Sequence, residues 1–340
     1  MSAAGSDVVV SDAPCASAGA WLGRYHQLPV TAFLTQDGDS AQLRLFDSAG
    51  LPLERQRLRK LESALARGEA LRAGGSRVGQ FETVAGVSAG YAAQAAALSR
   101  LSPPTSFPLA VQVERGGAPD DLLAAALSAM GCQVTRGRSR GTAAFSADWG
   151  GSRLTAWDET GAVLTPDVVL VLLTHIEMEH GSRRCALPPW APAAADWVAE
   201  SFGGTLLRLG RDGEAAQRLW REQPWMWDAV FAACRICHCL ARTGQDLSRL
   251  TRSLPQFATV RGEVPLDSGR GRVMERALSG ADAQRMGQGS RIRSGGGWVY
   301  VTPLSRRGAL RVIAEATDME TAREIYAQYT ARLKALDETP

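Results

Sequence analysis

Apolar positions recur with helical or strand spacing along most of the chain. A leucine stripe predicts a helix over residues 58–68, and the alanine-rich segment 87–101 predicts another. Residues 109–135 pass from an apolar strand to a helix and back to an apolar strand, which favours parallel pairing of the two strands. Residues 196–242 repeat this alternation, and residues 317–320 are typical of a helix start. The pattern predicts an α/β fold.

Composition and charge narrow the class of protein. The chain has 340 residues, 45% of them hydrophobic and 21% charged, as expected for a soluble protein with two or more buried cores. A net charge of +3 gives no argument for a nucleic-acid partner. The longest purely apolar run, residues 168–173, is too short to span a membrane, and the N-terminal residues do not resemble a signal peptide. We therefore expect a cytoplasmic protein without a membrane partner.

One segment carries most of the chemical information. It has Asp148, Gly150, Ser152 and Arg153 in a short turn, followed by an apolar strand and then Asp-Glu-Thr-Gly at residues 158–161. The segment resembles the metal loop of the α-D-phosphohexomutases, the phosphoglucomutase and phosphomannomutase family, which reads Asp-Gly-Asp-Gly-Asp-Arg. Two of the three expected carboxylates are replaced by Gly150 and Ser152. Because Mg²⁺ needs several oxygen ligands, the resemblance implies a degenerate loop, and we expect no metal cofactor.

The resemblance extends to the family's phosphoserine loop. Residues 30–36 occupy the place of the family's Thr-Ala-Ser-His-Asn-Pro motif. Phe33 stands where the serine that carries the phosphoryl group is expected, and Leu34 replaces the histidine. Thr31 and Thr35 are the nearby hydroxyl groups, so a displaced acceptor is conceivable. The resemblance implies that the usual nucleophile is missing, and phosphoryl transfer also needs charge stabilisation.

The family's two ligand loops are altered as well. Residues 298–316 resemble the phosphate-binding loop with its flanking strands, but the candidate anion ligands are now Ser305, Arg306 and Arg307, with Arg153 as a further candidate. A solvated basic turn is the alternative interpretation of that sequence. Where the family has its sugar-recognition loop, this chain has Trp225 and Trp227. Together with Trp149, these residues are candidates for filling the cleft or for forming an interface.

The resemblance implies a phosphohexomutase-like multidomain architecture with a truncated first domain and a C-terminal α+β domain. Proline-containing segments mark the expected boundaries. Residues 1–102 are the partial first domain with the remnant of the serine loop, and residues 103–187 are an α/β domain with the degenerate metal loop. Residues 188–257 are a shortened α/β domain, and residues 258–340 are the α+β domain with the altered phosphate loop.

A cluster of cysteines offers different chemistry. Residues 234–239 read Cys-Arg-Ile-Cys-His-Cys, and such clusters bind zinc or act in redox reactions. The segment also falls in an apolar helix, where free cysteines commonly act as small hydrophobic residues.

Three hypotheses about function follow. The first is a catalytically inactive mutase relative that is not an enzyme and works through protein–protein interaction, either with another copy or with an active sugar-phosphate enzyme. The second is a sensor that binds a sugar phosphate or nucleotide sugar, an anionic small molecule, through the C-terminal phosphate loop. The third is an enzyme whose chemistry has moved to the Cys/His cluster at residues 234–239.

Overall fold

The computed structural model describes residues 4–37, 40–69, 74–100, 108–266, 270–278, 283–304 and 308–338. The helices in these residues are α1 (Ala16–Tyr25), α2 (Arg55–Ala66), α3 (Val87–Leu98), α4 (Ala118–Met130), α5 (Pro166–Glu179), α6 (Ala194–Ser201), α7 (Gly213–Glu222), α8 (Ala229–Thr243), α9 (Leu247–Arg252), α10 (Arg270–Leu278) and α11 (Met319–Glu338). The strands are β1 (Val8–Ser11), β2 (Val30–Asp37), β3 (Ser40–Asp47), β4 (Phe81–Val84), β5 (Ala110–Val113), β6 (Gln133–Arg136), β7 (Ala144–Ala147), β8 (Leu154–Trp157), β9 (Val163–Leu164), β10 (Arg184–Leu187), β11 (Thr205–Arg208), β12 (Ala258–Pro265), β13 (Ala283–Met286), β14 (Gly289–Ser294), β15 (Gly297–Pro303) and β16 (Ala309–Ala316).

The chain forms two compact units. Unit 1 contains residues 1–163 and 227–244, and unit 2 contains residues 164–226 and 245–340. Helix α8 thus belongs to unit 1, although the chain on both sides of it belongs to unit 2. The division into four domains stays a prediction.

Unit 1 is built on a sheet with the strand order β6-β5-β7-β8-β9. Strand β5 runs parallel to β6 and β7, whereas β7 and β8 are antiparallel. The strand–helix–strand prediction for residues 109–135 is therefore confirmed. Helix α4 begins with Pro119 in its first turn and ends at Gly131, whose φ of +107° favours glycine. Helices α3, α4 and α8 pack against one another.

Two smaller sheets complete unit 1. Strands β1 and β4 pair in parallel, and β2 and β3 form an antiparallel hairpin with eight residue pairs. One face of the hairpin packs on α1, where Phe33 contacts a small buried cluster of Ala16, Ala20 and Phe46. The opposite face is apolar and open, since Leu34 and Leu43 pair directly and are 69% and 59% exposed.

Unit 2 combines an α/β part with an antiparallel part. Strands β10 and β11 pair in parallel. Strands β12 to β16 form a sheet in the order β12-β16-β15-β14-β13, and α10 and α11 pack with it around a core that includes Val299, Val312 and Leu333. The prediction of an α/β fold with a C-terminal α+β domain is confirmed. Over the described ranges, none of the helices combines the length and the apolar composition that crossing a membrane requires.

Candidate functional site

The turn between β7 and β8, residues 148–153, is closed by its own first residue. The Asp148 carboxylate accepts hydrogen bonds from the backbone N–H groups of Ser152, at 2.6 Å, and Arg153, at 3.0 Å. The Ser152 hydroxyl lies 3.2 Å from the second carboxylate oxygen. The Arg153 guanidinium is mostly exposed and approaches the same oxygen only to 3.6 Å. Asp148 therefore acts first as the cap of this turn.

The carbonyl groups of the turn hold it against two helices. The Gly150 carbonyl accepts from the backbone N–H of Ser17, at 3.1 Å, and from the Ser17 hydroxyl, at 3.2 Å. The Gly151 carbonyl accepts from the backbone N–H of Ala229, the first residue of α8, at 3.0 Å. Gly151 has a φ of +74°, and a Cβ there would lie 3.0 Å from Sγ of Cys15. Position 151 therefore requires glycine for both its backbone angle and its packing.

The segment predicted to replace the phosphoserine loop forms a strand. Phe33 lies in the middle of β2, directly opposite Arg44 of β3. Its ring packs on α1, which fixes the face that it presents. Leu34 points to the other face of the hairpin, because side chains alternate along a strand. No hydroxyl is therefore present at position 33, and the backbone there is paired along its whole length.

Arg44 connects this hairpin with the turn at residues 148–153. Its guanidinium carbon lies 4.0 Å from the centre of the Trp149 ring, and Trp149 is 50% exposed. A Cβ added to Gly150 would lie only 2.5 Å from Nη1 of Arg44. The ion pairs of the described residues give Arg44 no carboxylate partner. The two predicted active segments, more than a hundred residues apart in sequence, thus meet at Arg44 and Trp149.

A buried carboxyl group lies at the start of α8. Asp228 accepts from the Tyr91 hydroxyl at 2.7 and 2.8 Å, and from the backbone N–H groups of Val230 and Phe231. Burial raises the pKa of Asp228 to about 7, although these donors and the positive charge of Arg24 act in the opposite direction. The same burial raises the pKa of Tyr91 well above its ordinary value. This pair is a structural cap without access to solvent.

The Cys15 thiol lies at the N-terminus of α1, beside the turn. It is almost completely buried, and burial raises its pKa to about 11. Nearby negative charges of Asp228 and Asp148 raise it further, whereas backbone N–H groups of α1 lower it. A thiol in this state is protonated at neutral pH and is a poor nucleophile.

Comparison with known sequences gives distant relatives. No protein-family model matches the chain. A probable phosphoglucosamine mutase of Methanococcoides burtonii is 26% identical over 198 residues, which are 51% of this chain and 44% of that protein. A phosphopentomutase of Thermococcus kodakarensis is 23% identical over 207 residues, 54% of this chain and 46% of that protein. The chain spans less than half the length of these curated relatives.

Solved structures match over a much larger part of the chain. A phosphoglucomutase/phosphomannomutase family protein from Burkholderia thailandensis has a TM-score of 0.68 at 15% identity, and the match covers 91% of this chain and 76% of that one. A phosphomannomutase structure from Thermus thermophilus has a TM-score of 0.67 at 16% identity, with 96% and 83% covered. The chain therefore has the fold of these phosphohexomutase structures, and its distant sequence relatives are also named as mutases. At these identities the structures establish the fold, and activity and substrate are proposals.

The comparisons correct one expectation. We expected a chain that is not an enzyme, and this is contradicted, because the relatives and the solved structures are mutases. That expectation treated the replacement of motif residues, such as Phe33 in place of the family's serine, as evidence that activity is lost. The changed side chains show which phosphoryl acceptor and which ligands of the family are missing. They do not show whether the chain catalyses a reaction.

The other residues predicted to form the site lie in different parts of the chain, and three of them are outside the described residues. Ser305, Arg306 and Arg307 lie outside the described residues, so their role in anion binding stays a prediction. Trp225 lies in a short 3-10 turn of unit 2 and Trp227 in unit 1, and both are half-buried. Their roles, like that of Trp149 as a cleft-filling or interface residue, stay predictions.

The flanks of the predicted phosphate loop are paired strands. Thr302 of β15 lies opposite Arg311 of β16. Arg311 reaches Glu263 at 3.4 Å on the surface of the sheet. Glu315, at the end of β16, is instead buried and accepts from the backbone N–H groups of Ala193 and Ala194. Glu315 therefore joins the two parts of unit 2.

The cysteine cluster is part of the core of unit 1. Cys234, Cys237 and Cys239 are all buried in α8. Burial raises the pKa of Cys234 and of Cys237 well above the ordinary value, and Cys132 beside them adds to the effect. Buried, protonated thiols are poor nucleophiles, so the structure offers no activated thiol at residues 234 and 237.

Sequence reasoning missed the residues that organise the site. Arg44 and Ser17 carry no motif, and neither was a candidate. Arg44 becomes visible only through the strand pairing that places it opposite Phe33 and over Trp149. The sequence signal for this pairing is the presence of two short apolar runs close together, in residues 30–34 and 41–46, which is compatible with a hairpin.

Proposed function

We propose that this chain binds and acts on a phosphorylated sugar in unit 1, beside the turn at residues 148–153. The observation that carries the proposal is that the two segments resembling the phosphoserine loop and the metal loop lie together, joined by Arg44 and Trp149. An exposed indole face suits a sugar ring, and guanidinium groups suit a phosphate. Relatives named phosphoglucosamine mutase and phosphopentomutase support this class of ligand.

Any phosphoryl transfer at this site needs an acceptor other than position 33. Phe33 has no oxygen, and the hydroxyl residues on the same face of β2 are Thr31 and Thr35. Among the described residues, the Thr31 hydroxyl is buried without a hydrogen-bond partner, whereas Thr35 is half-buried. Finding a covalently bound phosphate on Thr31 or on Thr35 would identify the residue that accepts the phosphoryl group.

The proposal is tested by calorimetric titration with glucose 1-phosphate, glucosamine 1-phosphate and ribose 1-phosphate. We expect saturable binding of at least one of them, and no binding of unphosphorylated glucose at the same concentrations. Phosphorus NMR of the same samples detects conversion to the isomer phosphorylated at the terminal carbon. Absence of binding for every sugar phosphate contradicts the proposal.

A second candidate is an interaction role, which the open apolar face of the β2–β3 hairpin favours. Val30, Leu34 and Leu43 are at least half exposed on this face, and exposed apolar strand faces are commonly covered by association. A second copy of the chain is the simplest partner.

Light scattering during size-exclusion chromatography should then give a dimer that Leu34→Ser/Leu43→Ser converts to a monomer. The matched control is Leu65→Ser, an equally exposed leucine of α2, which should leave the dimer intact. A monomeric wild-type protein contradicts this candidate.

A further inference from the structure

The oxygen atoms of the turn at residues 148–153 do not suit a dication. Asp148 is its one carboxylate, and three donors already reach it: two backbone N–H groups and the Ser152 hydroxyl. The Gly150 carbonyl accepts two hydrogen bonds from Ser17, and the Gly151 carbonyl accepts one from Ala229. Mg²⁺ needs near-octahedral oxygen coordination. The residues present therefore do not fit the magnesium ion that the phosphohexomutase fold implies.

A fixed positive charge occupies this place instead. The guanidinium of Arg44 lies against Gly150, the position of the family's second carboxylate, with Nη1 2.5 Å from where a Cβ would be. An aspartate at residue 150 and Arg44 could not both hold these positions. Gly150 therefore leaves room for the Arg44 guanidinium at the position where the family has a carboxylate.

Trp149 keeps the guanidinium in place. The Arg44 carbon lies 4.0 Å above the centre of the indole ring, within the range of a cation–π contact. Arg44 is also the cross-strand partner of Phe33, the position that resembles the family's phosphoserine. Within the described ranges, none of the ion pairs neutralises Arg44, and Arg153 adds a second, mostly exposed guanidinium at the same turn. Guanidinium groups present paired N–H donors that match phosphate oxygens.

We propose that Arg44, held by Trp149 over Gly150, replaces the metal ion of the phosphohexomutase loop as the cation that binds the phosphate of the ligand. The site is then independent of divalent metal. The inference rests on the proposed function for the identity of the ligand, a sugar phosphate. It concerns a different quantity, namely which group supplies the positive charge.

The first test compares titrations of the sugar phosphate in EDTA and in excess Mg²⁺. Affinity should be the same in both buffers. Arg44→Ala should weaken binding by about tenfold or more, as expected for the loss of a charge-assisted pair of hydrogen bonds. Arg59→Ala removes an exposed arginine of α2 and should change affinity by less than about twofold, as surface charges usually do. Thermal melting confirms that both variants are folded. Binding that requires Mg²⁺, or that survives Arg44→Ala, overturns the inference.

The second test does not depend on a sugar phosphate. Manganese titration followed by electron paramagnetic resonance should show no site at the turn in the wild-type protein. Arg44→Ser/Gly150→Asp/Ser152→Asp should create one, because it restores three carboxylates and removes the competing guanidinium. A manganese site that the wild-type protein has and Asp148→Asn removes overturns the inference.

The third test keeps the two proposals distinguishable. If none of the sugar phosphates binds, the proposed function fails, and inorganic phosphate becomes the probe of the cation. Broadening of its phosphorus NMR line should occur with the wild-type protein and disappear with Arg44→Ala. Absence of broadening with the wild-type protein, or its persistence in the variant, overturns the assignment of Arg44.

Discussion

Asp228 shows how burial makes a carboxyl group sensitive to pH near neutrality. Its pKa in the folded protein is about 7, whereas its ordinary value is 3.8. Between these two values the folded state holds a proton that the unfolded state has released. The free energy of unfolding therefore decreases as pH rises through this window, and the loss is complete above the folded pKa. The direction is opposite to that of a carboxylate held by a salt bridge.

We predict that Asp228→Asn removes this dependence. The amide keeps an acceptor for the N–H groups that begin α8 and cannot ionise. The wild-type stability relative to the variant should fall by about 1.4 kcal/mol per pH unit at most across the window. Urea denaturation at several pH values measures the difference. Asp246→Asn, at an exposed carboxyl group without a capping bond, is the control and should show no such slope. Parallel pH profiles for wild type and Asp228→Asn contradict the prediction.

Residues that act through local sequence could be predicted, and those that act through pairing could not. Asp148 and Arg153 were identified because the contiguous segment 148–153 resembles the family's metal loop. Arg44 was not, because its contact with Trp149 depends on the register of a hairpin and on how that hairpin packs on α1. A single side chain in a strand gives no sign of which distant residue it will meet.

At the scale of elements, the turn between β7 and β8 depends on two requirements that coincide at Gly151. Its backbone is left-handed, and the space beside its Cα is taken by Cys15 and Ser17. Gly161, in the next turn, shares the left-handed backbone with a φ of +90°, but its nearest neighbours lie 3.8 Å away or more. The two glycines therefore separate the effect of backbone angle from that of packing.

We predict that Gly151→Ala destabilises unit 1 more than Gly161→Ala does. The backbone angle alone should cost about 1 kcal/mol at each position. Overlap with Cys15 should add roughly 1–3 kcal/mol at position 151. Urea denaturation of both variants gives the comparison. Equal losses would show that the contact with Cys15 relaxes without cost.

The elements that could be predicted well are those whose apolar residues follow a single period, either that of a helix or that of a strand. Strand β5, helix α4 and strand β6 together cover residues 110–136, which agrees with the strand–helix–strand predicted over residues 109–135, because apolar period and terminal residues agree there. The β2–β3 hairpin was interpreted through motif position instead. Both of its faces carry apolar residues, so the alternation that identifies a half-buried strand is weak.

At the scale of the whole molecule, unit 2 is held by a buried charge network. Arg208 is completely buried and donates to the carbonyls of residues 188, 191 and 192 and to the Asp196 carboxylate. Arg291 reaches both Asp196, at 3.5 Å, and Glu315, at 3.4 Å. The network joins the α/β part to the antiparallel sheet.

We predict that Arg208→Met destabilises unit 2 by about 3 kcal/mol, because it leaves buried carbonyls and part of a carboxylate unpaired. Arg211→Met removes a more exposed arginine that pairs with Asp212, and should cost less than about 1 kcal/mol. Chemical denaturation followed by tryptophan fluorescence measures both losses. A small effect of Arg208→Met would show that an apolar side chain of similar length packs equally well there.

The position of α8 in the chain constrains how the protein is made. Unit 1 recruits residues 227–244 only after the chain has passed through residues 164–226 of the other unit. During synthesis the core around Tyr91, Cys132 and Phe231 cannot close until about 240 residues have left the ribosome. Until then the faces of α3 and α4 that α8 covers remain open to chaperones. A nascent chain arrested before residue 227 should consequently stay bound to such factors, whereas one arrested well beyond residue 244 should release them.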